Sequence, residues 1–186
     1  MGVMVPPSRK SCYNFRVIKV NRVVDGDTID VTIDLGFDLT KKERVRIAGV
    51  DTPEKRTRDK EEKILGLDAT NWMKEKLDGA IKGDDELVIR TELKGGMGKY
   101  GRLLGWLYVG DDTTSLNEQM IAEGYAWEYD GGTKNKNFHE LRDIRYQQGT
   151  LAPPPDIDEL VPEGDPLPEV GDGLQSTTAA NLPGLY

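Results

Sequence analysis

Between residues 29 and 35 the apolar Ile29, Val31, Ile33 and Leu35 alternate strictly with Asp30, Thr32 and Asp34. Successive side chains of a β-strand point to opposite faces, so this pattern describes a strand with one buried face and one wet face. Residues 15–24 largely alternate as well, and the two runs flank DGDT. Two strands around Asp-Gly read as a hairpin. A third strand is expected over residues 45–50, and a fourth and fifth over 87–93 and 103–109, on either side of the glycine-rich KGGMGKYG.

Between the third and fourth strands, Leu65, Ala69, Trp72, Met73, Leu77 and Ala80 recur at helical spacing with Lys74, Glu75 and Asp78 opposite, which marks an amphipathic helix packed on the sheet. Ser115 followed by Glu118 has the form of a capping box, and the short helix it opens should stop at Gly124. A third helix is expected over about 137–148, with Phe138, Leu141 and Ile144 inward and Gly149 as its stop. The expected order is three strands, helix, two strands, helix, helix.

Beyond Gly149 the composition changes: seven of the ten prolines follow Ala152, and residues 151–186 hold seven acids and no Lys or Arg. Such a segment buries too little apolar surface to offset the entropy of ordering it. The expected organisation is a flexible arm over 1–14, one folded domain over 15–149 and a disordered acidic, Pro-rich tail over 150–186. Discounting the tail leaves the body close to neutral, so the net charge of −8 does not exclude a nucleic-acid partner. A single cysteine, Cys12, excludes an intramolecular disulfide framework. MGVMVPPSRKSCYNF has neither the apolar region of a signal peptide nor a membrane-spanning run, so the expectation is a soluble, cytoplasmic protein without membrane contact.

Three separated stretches carry candidate chemistry. VVDGDTI supplies Asp27, which the Asp25-Gly26 turn does not require; RVRIAGVDTPE supplies Arg46, Asp51, Thr52 and Glu54; GKYGRLLGW supplies Arg102 at the start of the fifth strand, with Tyr100 before it. If these stretches converge on one side of a barrel, Asp27, Asp51 and Glu54, with Asp25 near, repel one another strongly even at an effective dielectric constant of ~20, and a divalent cation would relieve this. All-oxygen ligands point to Ca²⁺ or Mg²⁺ and away from zinc or copper. Thr52 precedes Pro53, which favours an extended conformation that can aim its carbonyl at the ion. Arg46 and Arg102 can each donate paired hydrogen bonds to phosphate oxygens, and Glu54 is placed to accept or orient a proton of attacking water. Trp106 and Tyr108, at strand spacing, read as packing residues, and His139, on an expected helix surface, as a structural or solvated one. Lys55, Arg56, Arg58, Lys60 and Lys63 read as a solvated basic face that could guide a strand.

VVDGDTI, RIAGVDTPE, KYGRLLGWLY and SLNEQMIAEGYA resemble, in order and spacing, the signature blocks of the staphylococcal nuclease, or thermonuclease, family, over roughly residues 15–148. The resemblance implies an α+β, mainly β fold: a five-stranded OB-type barrel with three α-helices. It implies a calcium-dependent, sugar-non-specific endonuclease that hydrolyses phosphodiester bonds of DNA and RNA to products with 3′-phosphate ends. By position, Asp27 and Asp51 match the Ca²⁺ ligands, with the Thr52 carbonyl a third. Arg46 and Arg102 match the phosphate-binding arginines, and Glu54 the general base. Lys99 and Tyr100 match residues lining the nucleotide pocket, and with a one-residue gap after Gly124, Tyr129 matches a nucleotide-stacking tyrosine. The partners implied are single-stranded or locally opened DNA and RNA, met by a monomer with no obligate protein partner. The competing reading is an inactive OB-fold module that binds single-stranded nucleic acid; such a module needs no combined set of acids, base and arginines, and the set is present.

Overall fold

The structure, a computed structural model, describes residues 6, 12–83, 85–92 and 101–151. The expected tail beyond residue 151, most of the amino-terminal arm, and Lys99 and Tyr100 lie outside the described residues. In chain order the elements are β1 (Cys12–Asp25), β2 (Thr28–Gly36), β3 (Leu39–Ile47), β4 (Val50–Asp51), α1 (Lys60–Lys82), β5 (Leu87–Glu92), β6 (Leu103–Val109), α2 (Leu116–Ala122), β7 (Trp127–Glu128) and α3 (Phe138–Gln147).

Five of these strands close into a barrel in the order β1-β2-β3-β6-β5, the OB-type architecture expected. The long β1 closes it by serving two neighbours. Its first part, Cys12 to Arg16, pairs antiparallel with β5, and its later part, from Val17, pairs with β2 across three register shifts. Such irregularities bend a strand, which lets one chain segment turn the barrel's corner. β3 and β6 complete the circuit as a parallel pair, with Arg46 opposite Leu104.

The alternation in β2 buries Ile29, Val31 and Ile33 inside the barrel with Val45, Ile47, Leu87, Ile89 and Leu107. Met73 and Leu77 of α1 and Leu116 and Met120 of α2 cap the same core. Each such side chain contributes roughly 1.5–3 kcal/mol on full burial. Trp106 and Tyr108 are buried too, in a separate cluster with Ala48, and the Arg90 guanidinium lies 3.9 Å from the Tyr108 ring.

The third strand differs from its expected span. β3 begins at Leu39, six residues before the alternation does, and ends at Ile47. Its first six residues, LTKKER, have no apolar rhythm and are held by pairing with β2 through a two-residue turn in which Phe37 and Asp38 both have positive φ, 54° and 60°. That backbone is the hairpin turn normally signalled by Asn-Gly, so the sequence shows no sign of it. Val50, expected to end the third strand, instead forms with Asp51 a separate ribbon that pairs with Trp127 and Glu128.

Candidate active site

The site is assembled where the β1–β2 turn meets the segment leaving β3. In the turn Asp25 pairs with Thr28, leaving Gly26 and Asp27 at its tip. Gly26 is needed for space: a Cβ there would lie 2.9 Å from the Ala69 Cβ of α1 and 3.0 Å from the Thr52 Cγ2. Asp27, 8% exposed, is held from several directions. Its carboxylate accepts hydrogen bonds from the Thr28 hydroxyl at 3.0 Å and from the Thr52 hydroxyl and amide at 3.1 and 3.3 Å, while its carbonyl accepts from the Ile47 amide at 2.8 Å.

Asn117 positions the second segment. Its side chain donates to the carbonyls of Ala48 and Gly105 and accepts from the Leu107 amide, fastening the end of β3 to β6 and α2. Val50 and Asp51 then pair with β7, and the Tyr129 amide donates to the Gly49 carbonyl. On the far side α1 presses directly on the DTPE loop. A Cβ at Gly66 would meet the Lys55 nitrogen and the Pro53 carbonyl oxygen, each at 2.6 Å, so only glycine permits this approach. Buried Glu62 accepts a long hydrogen bond, 3.5 Å, from the Glu54 amide.

The Arg46 guanidinium joins the two segments. Its NH1 lies 2.5 Å from the Asp27 carboxylate and its NH2 3.1 Å from the Asp51 Oδ1. The same Oδ1 accepts from the Lys134 ammonium at 3.0 Å, which also reaches the Glu54 Oε1 at 3.1 Å. Burial raises the pKa of the 2% exposed Asp51; Lys134 and Arg46 oppose this, Asp27 adds to it, and the net direction is upward. For Lys134, burial works against the charge, but hydrogen bonds to Asp51 and Glu54 outweigh it and hold its pKa above the usual lysine value.

These groups face a cleft of about 340 Å³ lined by Asp25, Asp27, Thr28, Arg46, Thr52, Pro53, Glu54, Arg102, Tyr129 and Lys134. The structure thus brings Asp27, Arg46, Thr52, Glu54, Arg102 and Tyr129 to one wall-to-wall site, with Asp51 bound to its lining. The contacts of Thr52 are those of a hydrogen-bond donor to Asp27, where the expectation concerned its carbonyl.

One expectation needs correction. The acids do not stand together unrelieved: they alternate with the chain's own cations, as Asp27, Arg46, Asp51, Lys134 and Glu54, with Asp25 paired to Lys55 at 3.4 Å. Among the described residues no cluster of three or more Asp, Glu, His or Cys forms. Lys55, expected on a solvated face, instead donates to the Val24 carbonyl beside Asp25. Lys134 itself lies in TKNKN, where nothing in the pattern separates it from Lys136.

Residues 44–149, more than half of the chain, match the model of the family described as Staphylococcal nuclease homologue. The chain belongs to this family. Among curated relatives, a thermonuclease of Staphylococcus intermedius is 36% identical over 64% of this chain and 65% of its own. Endonuclease YncB of Bacillus subtilis is 32% identical over 69% of this chain and 56% of its own, and an uncharacterized endonuclease of Escherichia coli O157:H7 is 30% identical over 60% of each. The chain thus spans somewhat under two thirds of the length of these relatives. The matched span of the staphylococcal nuclease family starts at Arg44, so it includes Arg46, Asp51, Glu54 and Arg102, while Asp27 enters the site through the pairing of β2 with β3.

The donor set fits a hard divalent cation in kind. It is all oxygen, from the carboxylates of Asp27 and Asp51 and the oxygens of Thr52, although Arg46 on both carboxylates and Lys134 on Asp51 offset part of their charge. It is also sparse, which suits an ion that draws much of its shell from water and substrate. No helix among the described residues is long and apolar enough to cross a membrane.

Proposed function

We propose that the protein is a calcium-dependent endonuclease that hydrolyses phosphodiester bonds of single-stranded or locally opened DNA and RNA and leaves 3′-phosphate ends. The observation that carries this reading is Arg46 fixed between two buried carboxylates in a cleft that Glu54 and Arg102 also line. Held by Asp27, Asp51 and an oxygen of Thr52, Ca²⁺ would supply positive charge next to the phosphate under attack.

The chain's own residues account for the remaining chemistry. As water attacks phosphorus, charge grows on the equatorial oxygens, and guanidinium groups already oriented there stabilise it more than they stabilise the ground state. Arg46 is oriented by its carboxylate partners and needs no reorganisation. Arg102, just before β6, lines the same cleft and can donate to the same phosphate. Glu54, with its side chain 58% exposed, can reach a water in the cleft and accept its proton. Tyr129 offers a ring beside the arginines, and stacking on a ring requires an unpaired base, which is the ground for the single-stranded preference. Phosphate recognition by guanidinium does not sense the 2′-hydroxyl, so both sugars are accepted.

The test is denatured DNA and RNA incubated with the protein in Ca²⁺ or in chelator, with fragment sizes and end groups determined, beside the Arg102→Lys variant. An ammonium cannot reproduce the two-pronged donation of a guanidinium, so kcat should fall by about 10²–10³-fold with KM little changed. Binding of single-stranded DNA without cleavage would favour an inactive module, and a raised KM at intact kcat would make Arg102 a binding group only.

A further inference from the structure

Lys134 contacts two of the groups on which the proposed reaction depends. Its ammonium lies 3.0 Å from the Asp51 Oδ1, assigned above to the cation, and 3.1 Å from the Glu54 Oε1, assigned to the proton. It comes from the loop between β7 and α3, whose residues 131–137 are exposed. The ends of that loop are fastened: the Tyr129 amide donates to the Gly49 carbonyl, and the Trp127 indole donates to the Asn137 carbonyl at 3.3 Å. Between them Gly131, with φ of 94°, and Gly132 give the backbone freedom that other residues lack. The ammonium is therefore tethered close to Asp51 and can still withdraw.

A calcium ion binds carboxylate oxygen at about 2.3–2.6 Å. An ammonium on the same oxygen would then sit within a few ångströms of a doubly charged ion, and the two cannot share it without strong repulsion. Arg46 reaches the same oxygen, but its charge is spread over a planar group fixed at both carboxylates, so the localised ammonium on its exposed loop is the partner that leaves. Release of Lys134 also removes the hydrogen bond from Glu54.

We propose that Lys134 is a tethered competitor of the divalent cation. It holds Asp51 and Glu54 together until the ion displaces it, and so it sets the ion concentration at which the site fills and couples that filling to the release of Glu54. This rests on the nuclease reading above. Lys134 is on this account a positioning residue, acting through Asp51 and Glu54.

The experiment is calorimetric titration of the full chain with Ca²⁺ in the absence of nucleic acid, together with thermal melting in chelator and in Ca²⁺. Lys134→Ala and Lys134→Gln should each bind Ca²⁺ about tenfold more tightly than the original chain, melt lower in chelator, and gain more in Tm from Ca²⁺. Lys134→Arg, which keeps the charge but spreads it over a guanidinium, should bind with an affinity between those of the original and the alanine variant, and Lys136→Ala should titrate like the original. The glutamine variant keeps most of the side chain's length and a polar end without the charge, so it answers the question if the alanine variant folds poorly. A purely structural lysine would lower Tm in both media with affinity unchanged or weakened. Ca²⁺ binding by the original chain with equal or weaker binding by both variants would overturn the competitor and leave the metal reading standing. No Ca²⁺ binding by any of the proteins would overturn the metal reading and the competitor with it.

Discussion

Burial pushes the Asp51 carboxyl towards its protonated form, and the neighbouring Lys134 and Arg46 only partly reverse this. Because the folded pKa lies above the unfolded one, the folded state binds more protons in the window between them. Stability contributed by this group therefore falls as pH rises from about 4, the unfolded value, through the raised folded value. Asp51→Asn, which cannot ionise, should melt at the same temperature as the original chain near pH 3 in chelator. It should melt higher above the window, with the gap levelling off at neutral pH. Thermal melts of both proteins from pH 3 to 8 check this; a variant that is less stable at pH 7 would show that the ion pairs outweigh burial. A carboxyl buried where its charge is costly suits a working site, since stability there is given up for function. Asp51, Arg46 and Glu54 are legible in the sequence as candidates because they fall together in one short stretch, RVRIAGVDTPE, and combine with Asp27 and Arg102 into a set that no one of them makes alone. Lys134 is not legible, because its partners are 80 or more residues away and its own neighbourhood is polar throughout.

Helix α1 supports both acid-bearing segments. Its start is set by Asp59, which accepts from the amides of Glu61 and Glu62, and its buried face delivers Gly66 to the DTPE loop and Ala69 to the β1–β2 turn. Gly66→Ala should cost about 1–3 kcal/mol through overpacking against backbone atoms that cannot yield, and should lower kcat by moving Glu54. Gly79 on the same helix is the comparison: a Cβ there meets nothing within 4 Å, and Gly79→Ala should stabilise by about 0.5–1 kcal/mol with kcat unchanged. Denaturant unfolding and steady-state rates on denatured DNA separate the two. The helix was readable from its apolar period, but its duty towards the loop was not, because that duty depends on a missing side chain. The β4–β7 ribbon was unreadable for a simpler reason: two residues are too short to show a period.

At the scale of the molecule, a closed barrel gives a stiff frame, and the cleft lies where one hairpin turn and the exit of β3 are drawn together. The order of the five barrel strands and the three helices follows from apolar rhythm and turn residues alone. The parallel pairing of β3 with β6 does not, since it joins segments more than 50 residues apart, yet it determines that Arg102 enters the same cleft as Arg46. The central claim is that the Asp27–Asp51 pair makes cleavage depend on a divalent cation. The direct measurement is the rate of cleavage of denatured DNA as Ca²⁺ is raised from chelator to saturation, for the original chain and for Asp51→Ala checked to be folded. The account expects a saturable Ca²⁺ dependence in the original chain, no activity in chelator, and loss of most activity in Asp51→Ala at every Ca²⁺ concentration; undiminished cleavage by Asp51→Ala in chelator would contradict it.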